Sequence, residues 1–348
     1  MIEIDGSHGE GGGAVLRNAI ALSAALREPV HVFNIRTGRP EPGLKMQHLT
    51  GVKALAEICK AEVKGLEKGS TEISFSPGKI GGGRFSFDVG TAGSLTLVLQ
   101  SLMPALAFAE DEVELELVGG TNVAWSPPVD YLENVVLPVA SLMGFKGRIW
   151  VEARGWYPKG GGKVKAFFEP VEGALKPLRL EERGKLVSVG GVSVASGLPA
   201  HVAERQADAA EKALMDAGIG CEIRRETTTA ACPGSAVVLW ARFSSGAVLG
   251  GSALGERGKP AEKVGGAAAA DLVAAVMGGA SVDAHLCDQL LAFTALAEGE
   301  SEFTAQAWSS HSGTNAWLTR QFIKKSVGVN EEKEGVLVKS GGMGLRQG

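Results

Sequence analysis

The chain opens with a carboxylate set among glycines. Asp5-Gly6-Ser7-His8 leads into Gly9-Glu10-Gly11-Gly12-Gly13, and a helix-like run carrying Arg17 follows. Glycine-rich turns between strand and helix bind phosphate through backbone N–H groups. Glu10 at the centre of such a turn has two readings. It is a solvated loop carboxylate, or it holds a divalent cation beside a bound phosphate, because a hard cation takes oxygen ligands and bridges phosphate oxygens. Further on, Arg36 and Arg39 flank Thr37-Gly38, and Pro40, Pro42 and Gly43 stiffen the stretch after them. Two guanidinium forks on a stiff loop suit an anion such as phosphate; the plainer reading is a pair of solvated arginines. His311 stands in Trp308-Ser309-Ser310-His311-Ser312-Gly313, read as a loop before a helix that starts near Thr314. A neutral imidazole is a nucleophile toward phosphorus, and the phosphoramidate it forms leaves easily once protonated. The plainer reading is a histidine that helps cap the helix.

A dinucleotide site competes for the first loop, since Gly9 to Ala14 matches G-x-G-x-x-[GA]. Its context is wrong. The preceding strand is short and carries Glu3 and Asp5, whereas a central parallel strand is continuously apolar. The acidic residue about 20 positions on is Glu28, which precedes the second strand instead of ending it. No Walker A pattern is present.

These residues must be held by a large scaffold. The chain has 348 residues, 45% of them hydrophobic, enough for two domains or one large one. Its 49 glycines follow no Gly-X-Y period, so they belong to tight turns and close backbone approaches. The formal net charge of −4 excludes a global basic field, so a nucleic-acid partner would need a local site. Cys59, Cys221, Cys232 and Cys287 show no metal spacing and read as core thiols of a reducing compartment. With an acidic, polar start and no long unbroken apolar run, the expectation is a soluble cytoplasmic protein without a membrane segment.

The opening pattern returns. In RFSFDVGTAGSLTLVLQSL a strand again ends in Asp, a small-residue turn follows, and a helix begins. Asp5 and Arg17 are 12 positions apart, as are Asp88 and Gln100, so one polar side chain projects at the same register of each helix. Each first helix leads to an alternating strand, a polar loop and a second helix, at 44–60 and 129–143. Strand pairs at 62–66 with 71–76 and at 147–153 with 163–169 close the two units. A third copy runs from a helix at 282–296 through a strand at 302–307 to a strand at 335–339. The expected fold is α+β, with three β-α-β-α-β-β units at a period of roughly 80 residues forming a pseudo-threefold large domain over 1–182 and 279–348. Residues 183–278 fit no repeat and read as a small α/β domain inserted in the third unit.

Five ordered motifs carry a resemblance. IDGSHGEGGGAVLRNAIALS, IRTGRPEPGLKMQHLTGVKALAEIC, FDVGTAGSLTLVLQ, GWYPKGGG and SSHSGTN resemble those of the RNA 3′-terminal phosphate cyclases, over residues 2 to about 323. The resemblance implies ATP-dependent conversion of an RNA 3′-phosphate to a 2′,3′-cyclic phosphate, a ligase-class reaction. It passes through a covalent histidine–AMP and then an RNA-adenylate, with a divalent cation, Mg²⁺ or Mn²⁺. Carried over by motif, His311 is the nucleophile and Glu10 the metal ligand. Arg17, Arg36 and Arg39 lie near the phosphates. Gln100, Pro127, Tyr131 and the segment His285-Leu286-Cys287-Asp288-Gln289 contact the nucleotide, with Asp288 making a polar contact. An aromatic Tyr often stands where this chain has His285. The partners implied are RNA 3′-phosphate ends and ATP; the oligomeric state is left open. The alternative is a non-catalytic relative acting in ribosome assembly. The intact His311, Glu10, Arg36 and Arg39 argue against it.

Overall fold

The computed structural model describes residues 1–325, 327–332 and 335–347. Three four-stranded sheets share one strand order. In the first, β1 (Ile2–Asp5) lies parallel to β2 (Val30–Phe33), which pairs antiparallel with β4 (Ile73–Ser76), and β3 (Glu62–Lys64) forms the far edge. Helices α1 (Gly13–Leu26) and α2 (Met46–Ile58) connect them. The second sheet repeats this with β5 (Gly83–Asp88), β6 (Val113–Gly119), β8 (Gly162–Glu169) and β7 (Lys146–Ala153). The third does so with β9 (Arg179–Leu180), β14 (Glu300–Ala305), β16 (Gly335–Gly341) and β15 (Val327–Glu332). The parallel first pair needs a crossover, which a helix supplies each time.

The fourth sheet differs. Its order is β11 (Glu222–Thr228), β10 (Leu186–Ser196), β12 (Gly234–Phe243), β13 (Val248–Leu254), with α6 (His201–Asp216) and α7 (Ala261–Met277) packed together on it. It lies in sequence between β9 and α8 (Ala284–Leu296), so the third sheet is completed from both sides of it. No helix among the described residues is long and apolar enough to cross a membrane.

Helices line the interior, where apolar side chains form one continuous core. α1 packs on α2, on α3 (Leu95–Leu106) and on α9 (Ser310–Phe322), while α8 packs on α9 and α3. Their N-termini therefore converge, and the loops that precede them meet. The second helix of unit two is not one helix. Val129–Tyr131 (α4) and Leu137–Leu142 (α5) are joined by a π-helical turn, Leu132–Val136. Pro138 has no N–H to donate into that turn, which accounts for the widened winding.

Three further elements differ from expectation. α9 starts at Ser310, so His311 lies in its first turn and not in a loop. Ser309 is the cap, and its hydroxyl accepts from Ser312 N at 2.9 Å. β9 is only two residues long and β15 is mostly exposed. Neither has the alternation that marks a half-buried strand, and their pairing is what makes them strands.

Candidate active site

A cleft of about 890 Å³ opens where the helix N-termini meet. Glu10, Arg17, Arg36, Arg39, Gln100, Pro127, Tyr131, His285, Asp288, Gln289 and His311 all border it. Leu286 and Cys287 do not. Both sit on the buried face of α8, in the core, and burial pushes the Cys287 thiol up to about 12.

His311 projects from the first turn of α9, half exposed to the cleft. Its Nε2 lies 3.1 Å from Glu10 Oε2. Ser310 Oγ donates to the other oxygen of Glu10, and Arg39 Nη2 stands 3.8 Å from Oε2. One carboxylate therefore ties the glycine loop to the imidazole and to the arginine loop. The α9 end is itself clamped. Asp288 accepts from Ser309 Oγ at 2.7 Å and from Ser312 Oγ at 2.5 Å, the residues on either side of Ser310-His311. Burial raises the Asp288 carboxyl, and the two hydroxyls work against that rise. Below, Asn315 Nδ2 donates to Asp288 O at 2.9 Å, and Asn18 Nδ2 to Asn315 Oδ1 at 2.9 Å. A stack of His8 on Trp317, 3.7 Å between centroids, seals the glycine loop to α9.

The glycines make room for cations. A side chain at Gly13 would collide with His48 Nε2 and meet Arg17 Nη1 at 3.0 Å; one at Gly12 would meet Arg39 Nη2 at 3.0 Å. Arg17 makes no hydrogen bond or ion pair with another side chain among the described residues, and loss of solvent draws its guanidinium down to about 10. Arg36 is partly committed. Its Nη1 donates to the carbonyls of Glu41 at 2.9 Å and Gly43 at 2.7 Å, which braces the loop.

His48 was not singled out in the sequence, yet it sits among these cations. It is buried, and its imidazole is pulled down to about 3 by burial, then by Arg17, Arg36 and Lys45. It is neutral at any physiological pH. Nδ1 accepts from Lys45 N at 3.2 Å, so Nε2 carries the hydrogen and faces the cleft as a donor. The signal available in advance was its place in the first turn of α2, directly after the arginine loop.

Apolar side chains, Leu97, Met103, Pro104, Pro127 and Phe293, also border the cleft. Gln100 Nε2 donates to Gln289 Oε1 at 2.7 Å across α3 and α8. Tyr131 shows only 2% of its surface. Its hydroxyl donates to Asp283 Oδ1 at 2.6 Å, and its ring stands edge-on to His285 at 6.5 Å between centroids. Burial first, then Asp283, raises the phenol well above its ordinary value, so it stays protonated. Cations, a histidine and a carboxylate bordering one cleft with apolar side chains suit a ligand that joins phosphates to a flat apolar group.

Comparison with known proteins gives a consistent result. The family model for RNA 3′-terminal phosphate cyclase matches residues 8–329. An RNA 3′-terminal phosphate cyclase of Methanosarcina barkeri is 49% identical over 97% of this chain and 98% of its own. Relatives of the same name from Methanopyrus kandleri and Pyrococcus furiosus are 50% and 48% identical, over 96% and 97% of this chain and 96% of each relative. Among solved structures, an EPSP synthase from Acinetobacter baumannii aligns with 97% of this chain and 64% of its own, at 9% identity and a TM-score of 0.25. That overlap carries no argument about fold or function.

Proposed function

The chain belongs to the RNA 3′-terminal phosphate cyclase family, and on that premise we propose that it uses ATP to close an RNA 3′-phosphate into a 2′,3′-cyclic phosphate. The observation that carries the reading is His311, held 3.1 Å from Glu10 at the mouth of a cleft walled by Arg17, Arg36 and Arg39. An imidazole nitrogen of His311 attacks the α-phosphorus of ATP; an N–P bond forms, and the P–O bond to pyrophosphate breaks. An oxygen of the RNA 3′-phosphate then displaces the imidazole, so the N–P bond breaks and a phosphate–phosphate linkage forms. Last, the 2′-hydroxyl oxygen attacks the RNA phosphorus, its proton departs, and AMP leaves. That hydroxyl is already beside its target, an arrangement worth roughly 7–11 kcal/mol, so no second protein nucleophile is required.

The residues divide this work. Asp288 fixes the α9 end through Ser309 and Ser312, and so fixes His311. Arg17, Arg39 and the Nε2–H of His48 receive phosphate oxygens. Pro127, Tyr131 and His285 shape the slot for adenine, and Gln100 and Gln289 border it. A divalent cation fits Glu10. No group of three or more His, Cys, Asp or Glu side chains that could enclose a metal exists among the described residues. A lone carboxylate suits an ion whose other ligands are phosphate oxygens and water. Bound there, Mg²⁺ or Mn²⁺ would neutralise charge on the departing pyrophosphate.

The same reading extends to organisation. We take residues 1–182 and 279–348 as one pseudo-threefold body, and 183–278 as a domain inserted into its third unit. Three sheets with one strand order and a fourth with another support this. Four free cysteines suit a cytoplasmic location. The cyclase names of the relatives favour the catalytic reading over a ribosome assembly factor.

The test is protein labelling by ATP carrying label in the α-phosphate. Label should join the wild-type chain in acid-labile, alkali-stable form and be absent from His311→Asn. A 3′-phosphorylated RNA should then lose one water in mass. Wild-type labelling of His311→Asn would remove the nucleophile assignment, and an unchanged RNA would remove the cyclase reading.

A further inference from the structure

One side chain at the cleft has no part in the phosphoryl chemistry. Trp125, in the loop between β6 and α4, borders the cleft yet is 99% exposed. An indole in open water contributes nothing to the core and exposes a large apolar surface. Its backbone is also unusual. Trp125 has φ of 66°, in the left-handed region that non-glycine residues seldom occupy and that recurs at ligand clamps.

The loop that presents it is pinned along its length. Thr121 N and Asn122 N both donate to Gly155 O, at 2.9 and 3.3 Å. Ser126 Oγ donates to Val123 O at 3.0 Å, and Thr96 Oγ1 to Pro127 O at 2.8 Å. Val129 N closes the loop on Thr121 O at 3.0 Å. The backbone on either side of the indole is thus held by bonds to α3, to the segment after β7 and within the loop itself. The ring is displayed outward by a preorganised loop.

Position decides what it displays for. The apolar side chains Leu97, Met103, Pro104 and Phe293 border the cleft, where the proposed function seats the adenine of ATP. A ring wholly exposed at the mouth meets only a ligand long enough to cross the mouth. Of the two substrates, only the RNA is a polymer. We propose that Trp125 is a stacking platform for a base in the last two nucleotides of the RNA; this rests on the cyclase reading above. Unpaired RNA is recognised by stacking bases on aromatic side chains, and every base offers a π-face, so such a platform tolerates any sequence. The net charge of −4 supplies no long-range attraction for a polyanion, so beyond the terminal phosphate the strand gains from short-range stacking.

The experiment measures binding of a short single-stranded 3′-phosphorylated RNA by anisotropy and by quenching of tryptophan emission. Trp125→Ala should weaken binding on the order of 10-fold, and Trp125→Phe should keep most of the affinity while losing the quench. An RNA whose last two nucleotides lack bases should bind wild type no better than it binds Trp125→Ala. Labelling by α-labelled ATP should show the same ATP dependence in wild type and Trp125→Ala. Equal RNA affinity in wild type and Trp125→Ala overturns the platform. So does a raised ATP requirement for labelling, which would assign the indole to adenine. The two readings fail separately. An RNA held by Trp125 but never cyclised would remove the cyclase reading and leave the platform standing.

Discussion

Arg17 and Arg154 are both guanidinium groups withdrawn from water, and the molecule treats them in opposite ways. Arg154, 3% exposed, donates Nη1 to Asp130 Oδ2 at 2.6 Å and Nη2 to Asp130 Oδ1 at 2.9 Å. Nη2 also reaches Glu226 Oε2 at 3.2 Å, which joins unit two to the fourth sheet. Burial alone would lower its pKa, but Asp130 and Glu226 outweigh that and hold it above the ordinary arginine value. Arg17 has no such carboxylate, and desolvation draws it down to about 10. A cation supplied with carboxylates is part of the scaffold. A cation desolvated without one is disposed toward an anion that arrives later, and this one shares its cleft with His311.

The largest expected effect lies on the paired side. Arg154→Met leaves the buried Asp130 carboxylate without its partner, a change that costs about 3–5 kcal/mol. Urea unfolding followed by circular dichroism should show that loss. A change below about 1 kcal/mol would mean that Asp130 finds water or another donor, and the contrast between the arginines would fail.

Arg17→Met should invert the outcome. Removing an unpaired desolvated charge should leave the melting temperature unchanged or slightly raised. Labelling by ATP should slow on the order of 100-fold, the usual effect of deleting one donor to a developing anion. The rate of label incorporation and a thermal melt on the same preparation decide it. A matched fall in both would make Arg17 structural.

The two regions also differ in how far the sequence reveals them. Repetition exposed much of the cleft. The equal spacing from Asp5 to Arg17 and from Asp88 to Gln100 marked one register on two helices, and both side chains line the cavity. Glu10 and His311 stood out by type, a carboxylate among glycines and an imidazole among small polar residues. What stayed hidden depends on contacts between distant segments. Asp288 was expected to meet the nucleotide. It borders the cleft and also holds Ser309 and Ser312, a role visible only once α8 and α9 lie side by side. His48 resembled any polar residue on a helix until the arginine loop folded against it. β9 is defined by its partner β14, since two residues carry no pattern. Arg154, Asp130 and Glu226 lie 24 and 72 positions apart and belong to no motif.

The smallest effect concerns Glu133, on the π-helical turn beside the paired arginine. Burial pushes its carboxyl from the ordinary 4.5 up to about 6; Asp130 adds to the rise, and Arg154 opposes it. Arg154 is already committed to two carboxylates, so Glu133 is the surplus acid of that cluster. The folded state therefore binds a proton more tightly than the unfolded chain. Stability from this group is present below about pH 4.5 and is lost as pH rises through about 6. Full linkage would be about 2 kcal/mol. Glu133 keeps some contact with water, and screening reduces that to about 1 kcal/mol. Glu133→Gln removes the charge and keeps the shape. It should raise the melting temperature at pH 7.5 by about 2 °C and leave it unchanged near pH 4.5. Melting curves of both proteins across that range test the sign. A gain of equal size at both pH values would trace the effect to packing, and Glu133 would then be no surplus charge beside the paired arginine.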